Sequence, residues 1–375
     1  MKYYIIAGEA SGDLHASNLM HELNKIDSSA EFRVWGGDLM QQQGGQIVKH
    51  YKNLAFMGFF EVLINLGKIR QNFKLCKTDL LDFKPDLLIL VDYPGFNLRM
   101  AKFAKENNIK TYYYISPKIW AWKKSRAWKI KKYIDKMFVI FPFEKDFYKN
   151  YDYEVEYVGN PLIDELEKKK EQLQNEDDFR RNNQLSEKPI IAMLAGSRKQ
   201  EIKYILPEML SAVNKFPDYQ FVLAGAPGFT LDNYTGYLKN YPVKLIFNQT
   251  YDLLKHAHAA VVTSGTATLE TALFNIPQLV VYKMNGPTYE IGKFFIKVKY
   301  FSLVNIIMQQ TIVQELLQKK LKDKIENELK KIVFEEEYRK KMLDNYQKLK
   351  DKMGSVGASR RTAEVIYKDL LESKQ

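Results

Sequence analysis

Five stretches of this sequence combine residue types that do chemistry with spacings that would aim them at one ligand. The first is Gly8-Glu9-Ala10-Ser11-Gly12-Asp13, directly after an apolar run. A glycine turn between strand and helix presents backbone N–H groups and the positive end of a helix to a ligand. The spacing is neither a dinucleotide fingerprint nor a P-loop, so the pattern implies no nucleotide cofactor. Glu9 and Asp13 would repel phosphate and suit sugar hydroxyls, with Ser11 and Gly12 beside them; a plain turn with Ser11 or Asp13 as helix cap is the alternative. The second stretch is Val91-Asp92-Tyr93-Pro94-Gly95-Phe96-Asn97. Asp92 ends a continuous apolar run at the carboxyl edge of an expected sheet, where ligands of open α/β sheets bind. Partial desolvation there raises the basicity of a carboxylate and fits it for general-base work, with helix capping as the alternative.

The third stretch, Ala195-Gly196-Ser197-Arg198, offers a tight turn, a hydroxyl and a guanidinium fork for a phosphate. Otherwise Arg198 is an exposed residue on a first helical turn. The fourth runs Thr263-Ser264-Gly265-Thr266-Ala267-Thr268-Leu269-Glu270. Its amides and hydroxyls, from Ser264, Gly265, Thr266 and Thr268, could hold phosphate oxygens, and Glu270 could accept both hydroxyls of a ribose. A capped helix with Glu270 complementing its dipole is the alternative. The fifth is basic and aromatic: Tyr112–Lys132 sets Trp120, Trp122 and Trp128 among lysines, Tyr282–Phe301 repeats the mixture, and Phe56-Met57-Gly58-Phe59-Phe60 adds apolar surface. It reads either as an interfacial surface for an anionic amphiphile or as core aromatics beneath a solvated lysine face. Five histidines and one cysteine show no metal-ligand spacing, and His256-x-His258 reads as structural.

These stretches need a scaffold of parallel strands. Strands are expected at Lys2–Gly8, Glu31–Gly37, Leu87–Tyr93, Thr111–Ser116, Lys136–Pro142 and Glu154–Gly159, with helical segments such as His15–Ile26 and Phe60–Phe83 between them. Continuous apolar runs such as Leu87-Leu88-Ile89-Leu90-Val91 mean burial on both faces. The charged Asp164–Lys188 reads as a solvated helix and linker. The rhythm then restarts at Ile190–Gly196, Tyr219–Gly225, Val243–Asn248, Ala259–Ser264 and Gln278–Lys283. Gln318–Lys352 is helical, Gly354-Ser355-Val356-Gly357 breaks it, and Ala358–Leu371 is a last amphipathic helix. The fold class expected is α/β, two doubly wound parallel-sheet domains facing a cleft. They cover residues 1–165 and 166–350, and a terminal helix at 351–375 is a candidate to pack back on the first.

Composition agrees with this class. The 375 residues are 46% hydrophobic and 27% charged, which excludes disordered, collagen-like and disulfide-stapled chains. A single cysteine, Cys76, permits no internal disulfide. No signal peptide and no apolar run of membrane-spanning length is read from the sequence. The net charge of +12 favours nucleic acid, anionic lipid or phosphorylated small molecules, without choosing among them.

Eight motifs occur in a telling order: Gly8-Glu9-Ala10-Ser11-Gly12-Asp13, Met57-Gly58-Phe59-Phe60-Glu61-Val62, Asp92-Tyr93-Pro94-Gly95-Phe96-Asn97, Tyr114-Ile115-Ser116-Pro117-Lys118-Ile119-Trp120-Ala121-Trp122, Pro142-Phe143-Glu144, Val158-Gly159-Asn160-Pro161, Gly196-Ser197-Arg198 and Ser264 to Glu270. The set resembles the lipid A disaccharide synthase family, from the first strand to about Asn305. The resemblance implies a GT-B glycosyltransferase that transfers the sugar of UDP-2,3-diacylglucosamine to 2,3-diacylglucosamine 1-phosphate with inversion, giving a β-1,6-linked disaccharide 1-phosphate and UDP. It implies Asp92 as the base for the acceptor 6-hydroxyl and Arg198 on the UDP diphosphate. Gly196, Ser197, Ser264, Gly265, Thr266, Glu270 and Asn305 fall on the nucleotide side, while Glu9, Ser11, Gly12 and Asp13 fall on the sugar or acceptor side. Met57, Phe59, Trp120 and Trp122 join the substrate-binding set. No cofactor is implied, and the setting is peripheral, on the cytoplasmic face of a Gram-negative inner membrane. A homodimer is left open. Ala195 stands where the family commonly has Pro, and Gly95 where many members have an acid, so Asp92 is expected to act without that neighbour. Two other readings stay open: another UDP-sugar enzyme of the same architecture (an epimerase or soluble-acceptor transferase) and, last, a nucleic-acid-binding protein.

Overall fold

The structure, a computed structural model, describes residues 1–54, 66–120, 124–284 and 299–373. The chain divides into two units. One comprises Met1–Glu165 with Met353–Gln375, the other Leu166–Lys352.

The first unit is built on a seven-stranded sheet of order β3-β2-β1-β4-β5-β6-β7. Its strands are β1 (Lys2–Ala7), β2 (Glu31–Gly36), β3 (Gln46–His50), β4 (Leu87–Val91), β5 (Thr111–Tyr114), β6 (Lys136–Val139) and β7 (Glu156–Tyr157). Every pairing is parallel. The sheet is buried on both faces, as continuous apolar runs require. Tyr3, Ile5 and Ala7 of β1 join one core, and Tyr4 and Ile6 join the other. The tyrosines of β5 divide likewise, Tyr112 and Tyr114 to one side and Tyr113 to the other. These three rings are core, so the basic-aromatic surface expected from Tyr112 onward can begin only after them.

The helix Ala358–Glu372 completes this unit. Its Ala363, Ile366 and Leu370 lie one to two turns apart and enter the core of Ala16, Leu19, Met20 and Leu23 from the helix Ala10–Ile26. Polar ties fix its place. The Tyr112 hydroxyl donates to the Asp369 carboxylate, Lys136 Nζ lies 3.0 Å from Asp369, and Arg361 Nε donates to the Val158 carbonyl at 2.9 Å.

The second unit holds a six-stranded parallel sheet of order β10-β9-β8-β11-β12-β13. Its strands are β8 (Ile190–Leu194), β9 (Gln220–Gly225), β10 (Val243–Phe247), β11 (Ala257–Thr263), β12 (Gln278–Tyr282) and β13 (Glu315–Leu317). The segment expected to be a solvated linker is more structured than its charge suggests. It forms the end of the helix Pro161–Lys170 and a second helix, Glu176–Asn182. Phe179 of that second helix is fully buried against β8 and β11, and Arg180 ties it to the Lys188 carbonyl at 3.2 Å. One buried ring outweighs a charged neighbourhood, because most of the charges sit on the outer face and the buried Arg180 is paired with Glu176 at 2.7 Å.

Pairing stops short of the expected strand ends. β1 ends at Ala7, β4 at Val91, β8 at Leu194 and β11 at Thr263. The residues singled out for chemistry therefore stand in turns beyond the carboxyl edges of the two sheets.

Candidate functional site

At the carboxyl edge of the first sheet, the backbone turns sharply after β4. Asp92 and Tyr93 both have left-handed φ, 43° and 47°, without being glycine. Such residues cost on the order of 1–3 kcal/mol each and persist where surroundings over-determine them. Here Asn97, fully buried on the helix Pro94–Glu106, donates its Nδ2 to the Asp92 carbonyl at 2.7 Å and the Val91 carbonyl at 3.2 Å. The Tyr113 hydroxyl donates to the same Asp92 carbonyl. Gly8 is required opposite: a Cβ there would overlap the Tyr93 ring. Asn97 and Tyr113 escape a reading of types and spacing because they act on backbone oxygen.

The Asp92 carboxyl is half-buried and its pKa rises from 3.8 to about 6. Burial is the main cause and the Glu9 charge adds to it; Lys118 and a backbone N–H at Tyr93 oppose. Glu9 itself is exposed. It occupies the N-cap position of the helix Ala10–Ile26 without hydrogen-bonding it, so its carboxylate is not engaged in capping. Ser11 is exposed in the first turn of that helix. Gly12 is buried against Ala7, a packing position.

Asp13 has a structural duty. It is 2% exposed, and its two oxygens accept the amides of Gly37 at 2.7 Å, Met40 at 3.2 Å and Leu39 at 3.2 Å. It caps the short helix Asp38–Gln42 rather than its own. Trp120 lies in the loop after β5, edge-on to Phe143 with centroids 5.1 Å apart. Met57, Phe59 and Trp122 fall outside the described residues.

At the carboxyl edge of the second sheet, two helix N-termini differ in a decisive way. After β8, Gly196 takes φ 99°. The amides of Ser197 and Arg198 donate to Glu201 Oε2 at 2.8 and 3.2 Å, closing a capping box on the helix Lys199–Leu210. The expected phosphate turn is thus occupied by the protein's own carboxylate. What remains for an anion is the Arg198 guanidinium, 77% exposed and 3.6 Å from Glu201. After β11, the helix Thr266–Leu273 has no side-chain cap at Gly265. Thr266 is exposed, and the space where a Cβ of Gly265 would point is open. The Thr268 amide turns back to the Gly265 carbonyl at 3.3 Å, and the amides of Thr266 and Ala267 are left for a ligand. The Ser264 hydroxyl donates to the Phe301 carbonyl at 2.9 Å, leaving its oxygen as an acceptor. Glu270 is half-buried one turn into the helix.

Asn305 does not belong to this group. It is 0% exposed. Its Nδ2 donates to the Val313 carbonyl and Glu315, each at 2.8 Å, while its Oδ1 accepts the amides of Ile312 at 2.7 Å and Val313 at 3.0 Å. All four hydrogen-bonding positions of the amide are filled, so it braces the approach to β13 and has none left for a nucleotide.

Among the described residues, no cluster of His, Cys, Asp or Glu could hold a metal ion, and no helix is long and apolar enough to cross a membrane. The basic-aromatic character survives on the helix Arg126–Tyr133, where Trp128 is 55% exposed, with Lys131 over its ring. Lys124, Lys129, Lys131 and Lys132 are exposed around it. Residues Lys293, Phe294, Phe295 and Lys297 of the second patch, and the turn Phe56–Phe60, lie outside the described residues.

A sequence profile described as lipid-A-disaccharide synthetase matches residues 3–367. A protein named lipid-A-disaccharide synthase from Nitrosococcus oceani is 38% identical over 374 residues, covering 96% of this chain and 94% of its own length. One of the same name from Trichlorobacter lovleyi is 34% identical over 369 residues, covering 96% of each. Among solved structures, a UDP-GlcNAc 2-epimerase from Neisseria meningitidis bound to UDP-GlcNAc superposes with a TM-score of 0.69 at 16% identity, covering 98% of this chain and all of that one. A calicheamicin glycosyltransferase does so at 0.63 and 14%, covering 99% and 98%. At such identities these structures speak for the two-domain fold alone.

Proposed function

The chain belongs to the lipid-A-disaccharide synthetase family, whose members are glycosyltransferases of lipid A biosynthesis, and from that premise we propose that it joins UDP-2,3-diacylglucosamine to 2,3-diacylglucosamine 1-phosphate. The observation that carries the mechanism is the raised, half-buried Asp92 on a strained turn. With a pKa of about 6 it is roughly nine-tenths ionised at pH 7, and basic enough to take a proton from a hydroxyl in the transition state. The acceptor 6-oxygen attacks the donor anomeric carbon as Asp92 removes its proton. The carbon–oxygen bond to UDP breaks, its electron pair leaves on the diphosphate, and the anomeric configuration inverts.

Charge then grows on the leaving diphosphate. Arg198 and the uncapped amides at Gly265–Thr266 are suited to neutralise it, as a preorganised positive field does without reorganising. Glu270 is assigned to the ribose hydroxyls, and Glu9 and Ser11 to sugar hydroxyls beside Asp92. The acyl chains place both substrates at a lipid surface. The exposed Trp128 within the cationic helix Arg126–Tyr133 supports peripheral contact with the anionic cytoplasmic face of the inner membrane.

The test is direct. Purified protein incubated with both acylated sugars gives equal amounts of disaccharide 1-phosphate and UDP, unaffected by EDTA. UDP release that ignores the acceptor, or epimerised donor without disaccharide, overturns the assignment.

A further inference from the structure

Glu144 is buried to 1% on the helix Phe143–Lys149, and the reaction described above makes no use of it. Its Oε2 accepts the amides of Phe141 at 3.0 Å and Ile140 at 3.2 Å, which clamps the turn after β6. Its carboxyl is also acted on by the side chains of Ser116 and Trp120, in the loop that follows β5, which favour the ionised form against burial. Glu144 Oε1 and Trp120 Nε1 are both shut off from solvent, and among the described residues neither closes a hydrogen bond. Two buried polar atoms left in this state each lose on the order of 1–3 kcal/mol relative to a bonded pair.

We propose that Glu144 is a positioning residue for glycosyl transfer: its carboxyl seats the Trp120 indole, and with it the Ser116–Trp120 loop at the sheet edge that carries Asp92. Lys118, whose charge bears on Asp92, lies in that loop. The neighbouring Ile115 is held at φ 64°, a costly value for a β-branched residue, so the loop leaves its strand in a constrained form. The inference rests on the reading of Asp92 given above.

The state of the acid explains the unmade bond. Burial lifts Glu144 to about 8, so near neutral pH it is mostly the uncharged acid, and the Trp120 N–H faces a weak partner. Loss of the proton turns Oε1 into a strong acceptor and draws the indole N–H onto it. The ionisable groups that sense Glu144 are Tyr148 on its own helix and Tyr157 on β7, and both are held protonated well beyond this range.

The experiment uses the full chain with 15N-labelled tryptophan, whose four indole N–H signals include Trp120, assigned with Trp120→Phe. The Trp120 signal moves with a midpoint near 8 in the unaltered protein and stays still in Glu144→Gln. Glu144→Ala lowers kcat/KM for the acceptor, up to about a hundredfold for a misplacement near 1 Å, and Glu144→Gln recovers most of that loss. A Trp120 signal that is flat from neutral to alkaline pH, or that moves equally in Glu144→Gln, overturns the proposal. The indole signal does not depend on turnover, so its failure is separable from a failure of Asp92 as base.

Discussion

Replacing Asp92 by Asn keeps the shape of the side chain and removes its charge, and the structure says what that does to stability as well as to rate. The folded protein raises this carboxyl from 3.8 to about 6, mainly by burial and further by Glu9. That gap corresponds to roughly 3 kcal/mol. Below pH 3.8 the group is protonated in folded and unfolded chains alike, and it makes no difference. As pH rises from 3.8 to about 6 the unfolded chain ionises first, so the folded state loses stability across that window. Above it the loss is constant. Asp92→Asn is therefore as stable as the unaltered protein at about pH 3.5 and more stable at about pH 7.5, by up to roughly 3 kcal/mol. Over the same comparison, disaccharide formation falls by about 10²–10⁴-fold. Urea unfolding at the two pH values and a coupled UDP-release assay measure both. The acid limb of kcat/KM lies near 6; Glu9→Gln moves it down and Lys118→Met moves it up, following the charges that bear on Asp92. An Asn variant that is folded and turns over undiminished, or that is the less stable protein at neutral pH, refutes the reasoning.

Four further outcomes are expected. Arg198→Ala weakens UDP binding roughly 10- to 100-fold in calorimetry, the scale of a hydrogen bond to a charged group, with no change in melting because the side chain is exposed. Asn305→Ala lowers stability by about 2 kcal/mol or more, through the amides of Ile312 and Val313 left without acceptors, while the folded fraction binds UDP normally. Leu370→Ala destabilises the first unit by roughly 2–5 kcal/mol, read by denaturant unfolding, although it lies far along the chain from the rest of that unit's core. Changing Lys129, Lys131 and Lys132 to Gln weakens sedimentation with anionic vesicles about a hundredfold, at roughly 1 kcal/mol per charge, and Trp128→Ser weakens it further; unchanged binding removes this helix from the membrane contact.

The central strands were legible because burial on both faces writes itself as unbroken apolar runs, as in Leu87–Val91. The edge strands β3 and β13 were not. Gln46-Ile47-Val48-Lys49-His50 is mostly polar, and three residues at Glu315–Leu317 are too few to form a pattern. Asp92 was legible from its place after a buried run, but its strained backbone was not, since Asn97 and Tyr113 hold it through carbonyl oxygen. Asp13 and Asn305 carry residue types suited to ligands, yet their partners are amides distant in sequence for Asp13 and the Ile312–Glu315 segment for Asn305. Glu201 shows the same limit: spacing alone does not say whether the amides at Ser197 and Arg198 await a diphosphate or a neighbouring carboxylate. The charged run at Asp164–Lys188 hid Phe179, a single ring that decides where its helix packs.

The return of Ala358–Glu372 to the opening helix has a consequence for biogenesis. During synthesis the apolar stripe formed by Ala16, Leu19, Met20 and Leu23 emerges early and meets its cover only after translation has passed Glu372. The whole second unit is made in the interval. A stalled or clipped chain would carry a finished carboxyl-edge site on a first unit with one greasy flank bare, which makes that unit a ready target for holdase chaperones and for proteolysis.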